Sequence, residues 1–384
     1  MTMTRSGSLR PLPVDQFTQE EESLLLSACP GVVVQARTSN GPLGDVVWGG
    51  YSTMRYAWAS DPDIRFRGAT GGVTTALAIH LLTSKLVQFV LHVGADPESP
   101  MRSRWFHSET PADIIRNTGS RYGPTAPLSG LSIALDRGVP FAIVAKPCDL
   151  NAVDRLSQTD ERVNRLCKAR LAIVCGGQSR LTKSLAVLRD YGITEPELSV
   201  FRYRGYGNPG RTRVETTDGR AFEKTYAELW EDESGWDIET RCKICPDALG
   251  EAADVAIADV WPGCNPTGED AGFNGIIVRT GGGEELVQSA VTAGVLILGE
   301  TISPRQFDGF QPHQIHKKHA VRARMIGLNK AGFPGIMTIG LRLDELAEAA
   351  DQDLLDAETK GTMLRASEGK FTEETLVLND VAPS

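Results

Sequence analysis

Apolar and polar positions fall into blocks along the first half of the chain, and the blocks have two lengths. Val87-Gln-Phe-Val-Leu-His-Val reads as a strand. Phe141-Ala-Ile-Val-Ala and Leu171-Ala-Ile-Val-Cys are short continuous apolar runs, with charge before them and Gly or Pro after. Runs of that kind suit buried strands of a parallel sheet. Helical patterns precede both, at Leu128 to Arg137 and at Asn151 to Leu156. Upstream, Arg65-Phe-Arg-Gly-Ala-Thr-Gly-Gly opens an apolar helix at Val73, and Thr18 with Glu21 has the capping-box spacing of a short helix through Leu26. Strands alternating with helices predict an α/β domain over about 65 to 200.

The pattern then changes. Ser199-Val-Phe-Arg-Tyr-Arg and Arg211-Thr-Arg-Val-Glu-Thr-Thr flank a Gly-rich turn, and Asp218-Gly219 marks another, which predicts an antiparallel meander. Ala253-Asp-Val-Ala-Ile-Ala-Asp-Val-Trp returns to the strand pattern, Gly275 to Thr280 adds a strand, and Gly283 to Ala293 reads as a helix. Residues 340–384 read as helical and acidic with a polar tail. The expected fold is α/β: a mostly parallel sheet core with flanking helices, an inserted antiparallel β meander and a helical C-terminal region. The expected division is a lead-in arm over 1–60, an α/β core over 61–200, the insertion and completion of the core over 201–340, and a tail over 341–384.

Bulk composition removes several function classes. A net charge of -9 provides no basic field for nucleic acid. No stretch approaches the roughly 20 apolar residues of a membrane span. Met1 to Pro13 lacks an apolar h-region and reads as a disordered arm rather than a secretory signal. Seven irregularly spaced cysteines in a chain of 384 residues do not make a disulfide framework. The expectation is a cytoplasmic protein with reduced thiols.

Four of those thiols carry the strongest chemical signal. Cys242 and Cys245 form a Cys-x-x-Cys pair, and Cys148 and Cys175 each lie at the end of an apolar run among Pro or Gly. Two thiolates from the pair and two brought in by the fold would make the set that a 4Fe-4S cluster needs. Gly68, Gly71 and Gly72 lead into a helix N-terminus, where unpaired N–H groups suit a phosphate, and Thr70, Thr74 and Thr75 add hydroxyls; a plain tight helix entry fits the same residues. Asn117-Thr-Gly-Ser-Arg-Tyr-Gly-Pro either clamps an anion and stacks a ring or turns a corner. Lys146, at a strand end, either faces a ligand or snorkels to water. His313, His316 and His319 drift off one helical face without an interleaved carboxylate, which disfavours zinc there; a solvated face is the default for that basic stretch.

Taken in order, Gly71-Gly72-x-x-x-Ala-Leu, Gly119-Ser-Arg-Tyr-Gly-Pro, Lys146-Pro-Cys-Asp, Val174-Cys-Gly-Gly, Arg241-Cys-Lys-Ile-Cys and Ala253-Asp-Val-Ala-Ile-Ala-Asp-Val-Trp resemble the coenzyme F420 hydrogenase/dehydrogenase beta-subunit family over about residues 65 to 265. The resemblance implies an iron–sulfur flavoprotein. Cys148, Cys175, Cys242 and Cys245 would ligate one 4Fe-4S cluster. Gly71, Gly72, Thr74 and Thr75 would bind FAD phosphates, with Ser120, Arg121, Tyr122 and Lys146 near the cofactor. Lys146 and Arg121 would stabilise the reduced flavin, and Asp149 and Tyr122 are the candidate acids. Lys146 departs from the family's commoner Thr, which puts the deazaflavin substrate in doubt, and Asp149 replaces the commoner Gln, which alters the polarity beside the cluster. Cys264 rivals Cys175 as fourth ligand; Cys29 and Cys167 read as structural.

The first expectation is therefore an oxidoreductase passing electrons between a ferredoxin-like donor or reduced deazaflavin coenzyme and a small-molecule substrate, as a single chain or a homo-oligomer. The alternatives are an electron-transfer beta subunit of a larger hydrogenase or dehydrogenase complex, with the His313 to Arg324 stretch as interface, and a zinc-binding structural protein.

Overall fold

The computed structural model describes residues 1–12, 15–38, 41–230, 237–266 and 270–374. Its centre is an eight-stranded sheet of β1 (Thr53–Ala59), β2 (Phe89–Ala95), β3 (Ser103–Ser108), β4 (Phe141–Ala145), β5 (Cys167–Ile173), β6 (Val255–Asp259), β7 (Asn274–Val278) and β8 (Leu296–Thr301), in the order β8-β1-β7-β6-β5-β4-β2-β3. Strands β2, β4, β5 and β6 run parallel. The outer pairs β6–β7, β7–β1, β1–β8 and β2–β3 are antiparallel.

The sheet is thus mixed, and the expected mostly parallel core is corrected. Continuous apolar runs report burial on both faces, not strand direction. Every residue of antiparallel β7 is buried, and the strands of the parallel centre are buried at most positions. Alternate residues feed two cores. Phe89, Leu91, Phe141 and Ile143 face one side, with Val321, Met325 and Leu328. Val90, Ala142, Leu171 and Ile257 face the other, against Leu77 and Leu81.

Six helices matter below: α1 (Gln19–Ala28), α2 (Val73–Thr83), α3 (Pro147–Leu156), α4 (Thr240–Lys243), α5 (Pro312–Lys330) and α6 (Gln352–Ser367). α1 starts with the expected capping box of Thr18 and Glu21. The meander is a separate three-stranded antiparallel sheet, Leu198–Arg202, Thr212–Thr216 and Ala221–Lys224. The C-terminal region is helical through Ser367; the last ten residues of the expected tail, 375–384, lie outside the described residues.

The N-terminal arm is not free. Thr2–Met3 pairs with Leu9–Arg10, and Leu181 donates its N–H to the Gly7 carbonyl at 2.8 Å. Arg10 holds Glu239 and Glu373, partners far away in sequence that no local pattern announces. The basic stretch on α5 is largely compensated inside the fold. Lys318 meets the fully buried Glu251, which Arg342 also grips at 2.6 Å, and Arg324 and His316 share Glu358. An interface role for that stretch loses its free charge. Among the described residues no helix is long and apolar enough to cross a membrane.

Candidate functional site

A cavity of about 870 Å³ opens at the C-terminal ends of β4, β5 and β6, the edge at which α/β sheets collect ligands. Of the residues expected at a cofactor, Gly72, Thr74, Thr75, Ser120, Arg121, Tyr122, Lys146 and Asp149 line it, together with Cys175. That volume is in the range of sites that enclose a whole cofactor.

The glycine loop is divided in its duties. Gly71 lies against the sheet: its N–H donates to Asn274 Oδ1 at 3.0 Å, and a Cβ there would sit 2.7 Å from the Asn274 nitrogen. Val73 donates to the same oxygen at 3.3 Å. Gly72 caps α2 at φ +71°, a left-handed conformation natural to glycine. Asn274 therefore occupies two of the N–H groups at the helix entry, while Gly68, Thr70 and Gly72 line the cavity together with the turn bearing Thr74 and Thr75.

Arg121 has a different setting from the one expected. Its guanidinium donates to the carbonyls of Phe201, Pro100, Met101 and Arg102 and to the Ser103 hydroxyl, and it lies over the Tyr203 ring. These contacts tie the loop before β3 to the meander sheet. A further cation on the cavity wall is Arg204, only 3% exposed. It donates to Tyr122 Oη at 3.0 Å, Asp259 Oδ2 at 2.9 Å, Ala69 O at 2.7 Å and Thr70 Oγ1 at 3.1 Å, and stacks over Trp261. Thr70 in turn donates to Asp259 Oδ1. Burial opposes Arg204's charge, but Asp259 and Tyr122 outweigh it and hold the proton more firmly than usual. Arg204, Asp259 and Asn274 escaped the sequence reading. The available signal was an Arg ending a strand run directly before a Gly-rich turn.

Lys146 ends β4 as the N-cap of α3 and donates to Thr125 Oγ1 at 2.7 Å while pairing with Asp149 Oδ2 at 2.8 Å. Burial works against its charge; Asp149 and the thiols of Cys148 and Cys175 overcome that, so its pKa is raised.

The cysteines gather behind this wall. Cys148 lies in the first turn of α3, Cys175 just beyond β5, Cys242 in α4 and Cys245 after it. Gln178 donates its N–H to Cys242 Sγ at 3.4 Å. Cys175 is within the electrostatic reach of Cys242, and Cys148 within that of Cys245. Burial pushes the Cys148 and Cys175 thiols up and raises Cys245 to about 11. Arg241 is the counter-cation: burial opposes its charge, and the thiols of Cys148, Cys245, Cys242 and Cys29 outweigh it. Cys264 lies elsewhere, on the cavity wall, its pKa raised to about 11 by burial and by Asp259. Cys29 is exposed yet beside Arg241, whose guanidinium donates to the Pro30 carbonyl. Cys167 is buried in β5. Among the described residues no three His, Cys, Asp or Glu side chains close around a point that could hold a single metal ion.

Known proteins resemble this chain in sequence and in fold. The model of the coenzyme F420 hydrogenase/dehydrogenase beta subunit N-terminus matches residues 54–132, and that of the C terminus matches residues 140–303. The chain is 25% identical over 301 residues to the coenzyme F420 hydrogenase subunit beta of Methanococcus voltae, covering 75% of this chain and 98% of that protein. It is also 25% identical over 240 residues to the F420-dependent formate dehydrogenase 1 subunit beta of Methanococcus maripaludis, covering 62% of this chain and 59% of that one. A chain of the F420-reducing [NiFe] hydrogenase complex from Methanosarcina barkeri shares the fold, with a TM-score of 0.58 at 19% identity over 77% of this chain and 98% of its own. The two family matches run through the glycine loop, the cavity wall and all four grouped cysteines, and the chain belongs to the coenzyme F420 hydrogenase/dehydrogenase beta subunit family.

Proposed function

We propose that this chain is an electron-transferring beta-type subunit of a hydrogenase- or dehydrogenase-like assembly, holding a flavin in the cavity and one 4Fe-4S cluster on the grouped cysteines. The observation that carries the reading is adjacency: Cys175 belongs both to the cavity wall and to the thiol group. A cluster handles single electrons and a flavin one or two, so the pair links a one-electron partner to a two-electron carrier. The beta subunits named above make that carrier a deazaflavin coenzyme in this proposal, and they favour the subunit over a free-standing enzyme with its own small organic substrate.

The residues present fit both groups. The donor set is four half-buried thiols with Arg241 among them; burial pushes the thiols of Cys148, Cys175 and Cys245 up, and Arg241 and Lys146 offset the cost of the thiolate forms that iron requires. Cys175 fits the fourth position better than Cys264, because its neighbour is Cys242 whereas Cys264 faces Asp259. In the cavity, the Thr74–Thr75 turn would receive phosphate oxygens at the positive end of α2. Lys146, held between Thr125 and Asp149, keeps a buried positive charge where a ring system would lie, and favours an anion there. Arg204 and Tyr122 form the opposing polar wall. Arg121, spent on carbonyls, holds the wall's loop in place.

Anaerobic purification with iron, sulfide and flavin quantification tests the reading. About four irons and one flavin per chain are expected. Zinc without sulfide, in a colourless protein, would return the cysteines to a structural role.

A further inference from the structure

The helix α1 carries none of its residues buried. Leu24, Leu25 and Leu26 are 42%, 50% and 49% exposed, and Phe17 and Val32 at its two ends are exposed as well. Three consecutive leucines span about 200° of a helix, so the apolar surface covers more than half its girth. Apolar side chains left contiguous in this way mark a contact surface more often than scattered single ones do. The same helix begins with Glu20, Glu21 and Glu22, all exposed, which give the patch an acidic border.

The helix is firmly mounted. Arg155 of α3 donates to the Ser27 carbonyl at 3.0 Å and to Gln35 Oε1 at 2.7 Å, and Asn151 donates to the Gln35 carbonyl at 2.7 Å. The first turn of α3 bears Cys148. At its C-terminal end α1 runs into Pro30, whose carbonyl accepts from Arg241, and Cys29, which lies within the electrostatic reach of that arginine as Cys148, Cys242 and Cys245 do. The exposed apolar surface is therefore separated from the thiol group by little more than the Cys29–Pro30 turn and one arginine.

We propose that α1 is the docking surface for the one-electron partner: a redox protein presenting a small apolar contact ringed by lysine or arginine. This rests on the electron-transfer reading above. The acidic border selects the basic rim, charges of this kind act mainly on encounter rate and orientation, and a surface of this size fits a weak, transient electron-transfer contact. The position beside the cluster ligands explains why such a partner should dock here and not at the exposed leucine of α6.

The test uses the anaerobically purified, full-length protein and a cytochrome c, a lysine-ringed one-electron protein, as probe. Binding at low ionic strength is measured by calorimetry, and oxidation of the reduced chain is followed with cytochrome c and, separately, with a small viologen acceptor. L24S/L25S/L26S and E20K/E21K/E22K are each expected to weaken cytochrome c binding and slow its reduction at least about tenfold, with the viologen rate unchanged. L364S, at a still more exposed leucine on α6, is expected to change neither. Absence of binding to the intact chain, or equal binding by all variants, overturns the proposal. So does a change of oligomeric size in the leucine variant, which assigns the patch to a second copy, or tighter binding after removal of residues 375–384, which assigns it to the chain's own tail. A chain without iron or flavin fails the underlying reading instead, while the calorimetric comparison still judges the surface.

Discussion

Arg204 and Asp259 form a 2.9 Å ion pair across 55 residues of chain, joining the end of the meander's first strand to the last residue of β6. The pair fastens the inserted sheet to the central one and fixes the orientation of Tyr122 and Thr70 at the cavity wall.

Removing one partner leaves a buried charge without compensation. R204A should lower the unfolding free energy of the cofactor-free protein by about 3 kcal/mol, the low end for such pairs because Asp259 is partly exposed. D259N should cost at least as much, since a neutral amide leaves the more deeply buried guanidinium without its counter-charge. Urea unfolding of both single variants and the double variant measures the interaction, and additive losses would show that the pair is not energetically linked.

Asn274 serves two N–H groups at the α2 entry and donates to the Ala258 carbonyl at 3.2 Å. N274A should destabilise the protein by about 2 kcal/mol, because buried donors are left unpaired. T74V and T75V, which touch no such bond, should leave unfolding unchanged and weaken flavin retention. Flavin content after gel filtration, read beside the unfolding curves, separates the two effects.

C242S and C245S, and likewise C148S and C175S, should each lose most of the iron and acid-labile sulfide of the anaerobically purified chain. C264S and C29S should keep about four irons. Retention of iron by C175S together with its loss in C264S would exchange their roles.

His92 is buried, its ring nitrogen 2.7 Å from the Ser108 hydroxyl, with Asp113 and His107 as its titratable neighbours. Burial lowers its pKa from 6.5 to about 4. Below pH 6.5 the unfolded chain takes up a proton that the fold refuses until about pH 4. This group's contribution therefore makes stability fall as pH drops through that window, by up to about 1.4 kcal/mol per pH unit. H92Q should flatten that slope, visible as a smaller difference between unfolding free energies at pH 7 and pH 5; an unchanged difference would place the acid sensitivity elsewhere.

Local pattern was sufficient for much of this. The apolar runs at Phe141–Ala145 and Val255–Asp259 became central strands, and the Thr18/Glu21 spacing became a capped helix. The ordered cysteine motifs named the family. In each case the information lies within a few residues, where periodicity and side-chain type act directly on the backbone. What the sequence alone could not decide were relations between distant segments. The central runs at Phe141 and Leu171 are parallel as expected, but the antiparallel flanks were missed because burial on both faces looks the same in parallel and antiparallel strands. The N-terminal arm is held by carboxylates more than 200 residues away. The settings of Arg121 and Arg204 followed the same logic: both are arginines beside glycine-rich turns that line the cavity, and only the packed structure determines which one is held by a cage of carbonyls and which one pairs with a carboxylate. A charge takes its chemistry from the groups that surround it after folding, and those neighbours are set by tertiary packing.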